Sequence, residues 1–276
     1  MAVKERYSVG EVSKICNVSK KALRYYDKIG LIQSERDVGN NYRYYETEAL
    51  LAVPVIKYYK QMGFTLEEMS EFIEGDNVYR TLIRSFSSKI DELEQTQKEI
   101  HLKYASVKDW YDLILEAEMV TDYNTREVSI KYVESADYLY LNQTYKNDIR
   151  DSIINVEFTN HVESVGNAIT GPVWIHFSSY KDRMEKNEQP MQILQKTLLP
   201  CRDGQTLRMG GKMMISCYHI GTHDTIDETY QKMCRWALQH DYMLESDCYE
   251  RYVTDYWTTK QSNLFVTEIL MAVSRK

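Results

Sequence analysis

Between residues 83 and 114 the apolar side chains recur at steps of three and four: Ile83, Phe86, Ile90, Leu93, Gln97, Ile100, Tyr104, Val107, Tyr111 and Ile114. All but Gln97 are apolar or aromatic, and Lys, Glu and Asp fill the positions between. A period of 3.5 held over more than four heptads is that of a coiled-coil seam. The spacing therefore predicts one long helix over residues 76–120, with a face that needs a partner. A second copy of the chain is the leading partner; the other reading is a long helix packed on its own C-terminal domain. Either way the helix divides the 276 residues into a head, 1–75, and a body, 121–276.

Composition supports that division. With 43% hydrophobic and 27% charged residues, 4 Pro and 11 Gly, the chain reads as folded, and no stretch is apolar for the length of a bilayer. The opening MAVKERYSVGEVSKIC lacks the apolar run of a signal peptide, so the expected location is the cytoplasm, with no membrane partner. Residues 1–60 hold 11 Lys and Arg against 7 Asp and Glu; the net charge of −7 then leaves −11 on the remainder. A basic head on an acidic body suits one part that touches phosphate and another that attracts cations. The five cysteines, Cys16, Cys201, Cys217, Cys234 and Cys248, are odd in number and form no CxxC pair, so neither a disulfide framework nor a metal site is expected.

In the head, Ser8-Val9-Gly10-Glu11 fits a capping box that opens a helix of about two turns. Asn17-Val18-Ser19 reads as a tight turn, and Ser19 can cap a second helix, Lys20 to Ile29, that ends at Gly30. Two short helices so joined form a helix-turn-helix. Leu31-Ile32-Gln33 and Tyr42-Arg43-Tyr44-Tyr45 read as strands of a β-wing around the turn-rich Asp37–Asn41. A helix from Thr47 to Met62 follows, then a second capping box at Thr65–Glu68, a short helix to Glu74, and a closing turn, Gly75-Asp76-Asn77. On the second helix Lys21, Arg24, Tyr25 and Lys28 share one side, which offers cations for phosphates and a phenol that can stack and donate. Strand alternation puts Tyr42 and Tyr44 on one face of the wing and Arg43 on the other.

Beyond Thr121 strand-like segments return in two similar halves. The first has Tyr138–Leu141, a helix from Asp148 to Val165, and Val173–Phe177; the second has Met213–Tyr218, a helix from Ile226 to His240, Cys248–Val253 and Leu264–Val273. Two strand-helix-strand-strand units imply an α+β domain with pseudo-twofold symmetry and a cleft where the halves meet. Tyrosine is abundant, 23 against 6 Phe. A pocket for a lipophilic cation needs such aromatic faces and a carboxylate. Alternation places Glu250 with Tyr252, Trp174 with His176, and Ser216 with Tyr218. The plainer reading makes Trp174 and Tyr218 sheet core and Glu250 a solvated strand residue or a partner of Arg251's neighbours; Trp236, in step with Met233 and His240, reads as core or interface.

The segments YSVGEVSKICNVSKKALRYYDKIGLI, NNYRYYETEALL and MGFTLEEM resemble the DNA-binding domain of the MerR family of transcription activators, over residues 7 to about 75. That resemblance implies a winged helix-turn-helix on a homodimer joined by an antiparallel coiled coil, with Ile83, Phe86, Ile90, Leu93, Ile100, Tyr104 and Val107 as the seam. It implies double-stranded promoter DNA and RNA polymerase as partners, and activation by bending and untwisting an over-long promoter spacer. Lys20, Lys21, Arg24, Tyr25 and Tyr26, with Tyr42, Arg43 and Tyr44 on the wing, are the expected contacts. The absence of cysteine between Cys16 and Cys201 argues against thiolate metal sensing. From about Glu127 to Lys276, most closely over the segment from Cys217-Tyr218-His219-Ile220-Gly221 to Tyr249-Glu250-Arg251-Tyr252, the body resembles the GyrI-like effector domain of multidrug-sensing relatives. By that analogy Glu250 anchors a lipophilic cation and Tyr145, Trp174, Tyr218 and Tyr252 form the walls.

Two other functions compete: a hydrolase that uses Glu250 and a tyrosine on electrophilic compounds, and a protein-binding inhibitor module. His176, His219 and His223 have no Ser or Cys at a telling spacing, so no catalytic residue and no cofactor is expected.

Overall fold

A computed structural model describes residues 6–74, 78–146 and 148–275. The chain forms two compact units, residues 1–99 and 100–276. The first contains β1 (Tyr7–Ser8), α1 (Val9–Ile15), α2 (Lys20–Lys28), β2 (Glu35–Arg36), β3 (Arg43–Tyr45), α3 (Thr47–Gln61), α4 (Leu66–Glu74) and the start of α5 (Val78–Asp122). Both capping boxes form: Ser8 N donates to Glu11 and Glu11 N to Ser8 Oγ, and the same exchange links Thr65 and Glu68. Asn17 takes φ 48° in the tight turn, and Ser19 Oγ accepts Ala22 N at 3.0 Å to start α2. Gly30, at φ +80°, reverses the chain after α2, in a region that costs a β-carbon dearly.

The wing is shorter than expected. Leu31 and Ile32 are not strand; both are buried consecutively in the head's core, so neither face of an alternating strand is available to them. The sheet is ordered β1-β3-β2, with Tyr7 opposite Tyr45 and Glu35 opposite Tyr44. Val12, Leu23, Tyr45, Val53 and Phe64 form the core, which Phe86 of α5 joins with its ring 5.0 Å from that of Phe64. The expected turn Gly75-Asp76-Asn77 lies outside the described residues.

The second unit holds the end of α5, then β4 (Ser129–Val133), β5 (Ala136–Tyr145), α6 (Ile149–Ile153), α7 (Val156–Ser164), β6 (Ile169–Phe177), α8 (Tyr180–Met184), β7 (Gln189–Thr197), β8 (Thr206–Met209), β9 (Lys212–Ile220), α9 (Ile226–Gln239), β10 (Tyr242–Thr254) and β11 (Val266–Arg275). The eight strands form one antiparallel sheet, β4-β9-β11-β10-β6-β7-β5-β8. Read outward from the β10–β6 junction, each half has the same order, so the pseudo-twofold axis passes between those strands. The outermost strands are exchanged: β4 borders the second half and β8 the first. The single helix expected over Asp148–Val165 is two, because Asn155 leaves the helix and its side chain caps Phe158 N at 2.8 Å.

Helices α6 to α9 cover one face of this sheet, with Phe158, Tyr230 and Met233 packed on Ile175, Phe177, Cys248 and Ile269. The opposite face carries Trp174, Leu194, Met214, Tyr249 and Leu270, and beside them Leu113, Ala117 and Val120 of α5 pack on Val253 and Val266. The β8–β9 turn depends on Gly210, at φ +95°, where a β-carbon would sit 2.2 Å from the Glu134 carbonyl oxygen. Gly210→Ala is expected to destabilise the body by about 2 kcal/mol or more; an unchanged urea midpoint would contradict this account of the turn.

Candidate functional site

On the head, α2 presents Lys20, Lys21, Arg24, Tyr25 and Lys28 to solvent. Tyr26 departs from the expectation: it is 4% exposed and packed in the core, since three residues along a helix return to the buried face marked by Leu23. On the wing Tyr42 is exposed, and Tyr44 and Arg43 are half-buried. Arg43 Nε donates to Asp27 Oδ2 at 3.1 Å, while Asp27 Oδ1 accepts Ser34 N at 2.9 Å, so Asp27 ties the wing to α2. Along α5, Ile83, Ile90, Leu93, Ile100, Tyr104 and Val107 are 50–71% exposed, whereas Phe86 is half-buried in the head's core. Phe86 therefore packs within its own chain rather than with the rest of the stripe.

In the body the five residues expected to form one pocket are divided between the two faces of the sheet. Tyr145, Glu250 and Tyr252 lie on the helix-covered face. Trp174 and Tyr218 lie on the other, because Trp174 stands opposite Arg251, not Glu250, and Tyr218 stands opposite Glu268, which bonds Arg251. There Tyr218 OH donates to Glu116 Oε1 at 2.8 Å, Arg251 bridges Glu116 and Glu268, and Lys131 also reaches Glu268. An open groove of about 370 Å³, bordered by Tyr138, Trp174, Arg251 and Glu268, lies over this network.

Glu250 is neither solvated nor vacant. It is fully buried, and Arg183 of α8, 2% exposed, grips it through Nε to Oε1 at 2.8 Å and Nη2 to Oε2 at 3.3 Å. Tyr230 OH adds a bond to Oε1 at 2.9 Å and Tyr252 OH another to Oε2. Burial pushes the Glu250 carboxyl up, but the Arg183 charge and these hydrogen bonds outweigh it and hold the group below the usual carboxylate range. The guanidinium lies 5.1 Å from the Tyr145 ring centroid and 5.0 Å from that of Phe177. The chain's own arginine thus sits between the Glu250 carboxylate and the rings of Tyr145 and Phe177, with two of the expected walls, Trp174 and Tyr218, on the other face.

A cavity of about 330 Å³ opens nearby, where β6 bulges between Thr170 and Trp174. Its walls are mainly apolar: Trp110 and Leu113 of α5, Ile153, Phe158, Ile169, Pro172, Val173 and Trp257. Tyr252 borders it and reaches back to Glu250. Asp255 also lines it, 4% exposed, with Oδ1 accepting Trp257 N at 2.8 Å. Burial raises the Asp255 carboxyl to about 6, lowered only in part by that hydrogen bond. Sequence reasoning missed Arg183, Asp255, Trp110 and Trp257. A charged residue that ends the YERYVTD run was a signal for Asp255; for Arg183 there was none, since α8 was not foreseen.

Among the described residues no group of three His, Cys, Asp or Glu converges as metal ligands, and the cysteines are unpaired by disulfides. His219 bonds Thr229 and Thr222, and burial pushes His223, against Phe265 and Tyr252, down to about 4. No helix of the described residues is long and apolar enough to cross a membrane.

Comparison with known proteins agrees with this division. Residues 7–76 match the MerR HTH family regulatory proteins, and residues 126–274, more than half of the chain, match the GyrI-like small molecule binding domain. The multidrug-efflux transporter 2 regulator of Bacillus subtilis (strain 168) is 30% identical over 148 residues, 51% of this chain and 50% of that protein. The multidrug-efflux transporter 1 regulator of the same organism is 42% identical over 102 residues, 35% of this chain and 37% of that one. The chain thus spans half or less of the length of these two relatives, and both are named as regulators. The cryo-EM structure of the EcmrR–DNA complex in EcmrR-RPo aligns over 98% of this chain and 100% of that one, with 20% identity and a TM-score of 0.46. The chain belongs to the family built on the GyrI-like small molecule binding domain, with a MerR-type helix-turn-helix as its head.

Proposed function

We propose that this protein is a cytoplasmic, ligand-responsive transcription regulator, not an enzyme. It binds promoter DNA as a homodimer joined along α5 and activates RNA polymerase by bending and untwisting the operator when a lipophilic, cationic compound enters the body. The three parts, 1–75, 76–120 and 121–276, act as reader, dimer helix and sensor. The observation that carries the reading is the union in one chain of a basic, solvent-facing α2 and wing with a body that holds an apolar cavity of drug size. Lys20, Lys21, Arg24 and Tyr25, with Tyr42 and Tyr44, make the contacts, and Arg43 serves them by fixing the wing to Asp27. A hydrolytic role for Glu250 is disfavoured, since four donors already occupy its two oxygens.

The test begins with full-length protein and duplexes selected from a randomised pool. Wild type is expected to select a palindrome whose half-sites lie about one helical turn apart. On that duplex Arg24→Ala should weaken binding and flatten the dependence of log K on log salt by about one unit, as for one lost phosphate contact. Failure to select any duplex overturns the DNA-binding reading; an unchanged slope removes Arg24 from the contacts.

A further inference from the structure

We propose that Asp255, not Glu250, is the carboxylate that meets a cationic effector, and that the cavity beside it is a subsite for an organic cation with an apolar body. The proposal rests on the sensor reading above and deepens it. Glu250 has an internal cation, Arg183, and no acceptor position to spare. Asp255 has the opposite environment. Its carboxyl is buried in the wall of an apolar cavity and accepts a backbone hydrogen bond, and among the described residues no Lys, Arg or His forms an ion pair with it. An ionised carboxylate so placed is costly, and a cation that brings its own apolar surface is the partner that offsets the cost. Trp110 and Trp257 border the same cavity, and indole is the side chain best suited to a cation–π contact.

The position also makes binding pH-dependent. Tyr252 is the other titratable side chain that lines the cavity, and its proton is held toward Glu250. Behind it stand Glu250 and Arg183, paired with each other, and His223, packed edge-on to the Tyr252 ring. From α5, Asp109 accepts a bond from Thr170 of β6 and lies 4.0 Å from Lys196 of β7. Arg150 of α6 lies over the Tyr256 ring, next to Asp255 in sequence. Each of these groups is engaged with a partner of its own, whereas burial raises the Asp255 carboxyl to about 6, inside the range from pH 5 to 8. A cation selects its ionised form, so binding strengthens as pH rises through that value and levels off above it.

The experiment is a titration of the full chain with tetraphenylphosphonium, with neutral triphenylphosphine oxide as control. It is read by tryptophan fluorescence, since two of the four tryptophans line the cavity. Wild type is expected to bind the cation about ten-fold more weakly at pH 5 than at pH 8, the ratio of ionised fractions. Asp255→Asn should abolish that pH dependence, lower cation affinity at pH 8 by about ten-fold, and leave the oxide unaffected. Asn keeps an acceptor for Trp257 N, thermal unfolding checks the fold, and Asp255→Glu should restore the pH-dependent binding. Cation binding that is flat with pH and intact in Asp255→Asn overturns the role of Asp255 and spares the sensor reading. Absence of binding of both compounds to folded protein overturns the sensor reading, and this proposal with it.

Discussion

Arg183→Met is expected to cost about 3–5 kcal/mol of stability at neutral pH, the penalty for stranding a buried charge whose partner is removed. The pair is 0% and 2% exposed, so water cannot replace the guanidinium, and the two phenols that remain on Glu250 satisfy hydrogen bonds without neutralising the charge. The loss depends on pH with a definite sign. In wild type the Glu250 carboxyl is held below its ordinary value, so it contributes stability that is present above the unfolded pKa of about 4.3 and lost as pH falls below it. In the variant burial is no longer opposed by a cation, the folded carboxyl rises above its unfolded value, and acidification relieves the strain by supplying a proton. The gap between variant and wild type should therefore narrow as pH drops toward 4. Adding Glu250→Gln to Arg183→Met should recover more than half of the loss, because a neutral amide can meet both tyrosine hydroxyls. Urea unfolding of the three proteins at pH 4 and 7.5 reads each effect; a single-variant cost below about 1 kcal/mol at pH 7.5 would sink the account.

The same pair shows where sequence stops informing. The helix-turn-helix was legible because capping boxes, an Asn-centred turn and Gly30 are local signals, each readable within five residues. Alternation correctly grouped Glu250 with Tyr252 and Trp174 with His176, since parity within a strand is set by the backbone. It could not say which strand stands opposite which residue, and a register offset of one moves a side chain to the other face of the sheet. With Trp174 opposite Arg251, the expected single pocket divided into a filled cage and an open groove. Tyr26 was misjudged for a related reason: its chemistry suits a groove, yet its position three residues after Leu23 makes it core. The partner of Glu250 comes from α8, 67 residues earlier, on a five-residue helix too short to leave a period in the sequence.

Substitution of both Ile90 and Leu93 by Glu is expected to give monomers in sedimentation at micromolar concentration. Each dimer would lose four large apolar side chains from its seam; each is about half exposed in the single chain, so burial there contributes roughly 0.75–1.5 kcal/mol for each. The sum, roughly 3–6 kcal/mol, is a large part of a nanomolar association, near 12 kcal/mol, and the desolvation of four carboxylates adds to it. Both side chains are half or more exposed in the single chain, so the monomer's own fold should unfold at nearly the wild-type temperature. That separates the two readings of the stripe: a helix that packed on its own body through these residues would lose stability without losing mass. Phe86 offers the contrast, since its half-buried ring packs on the head's core, and Phe86→Ala should cost about 1–3 kcal/mol of head stability. Monomers that keep a folded head should bind a single half-site but lose the tight grip on a two-half-site duplex, because the second contact no longer arrives at high effective concentration. Dimers that persist with both glutamates in place would move the interface elsewhere on α5, toward the exposed Tyr111, Ile114 and Met119.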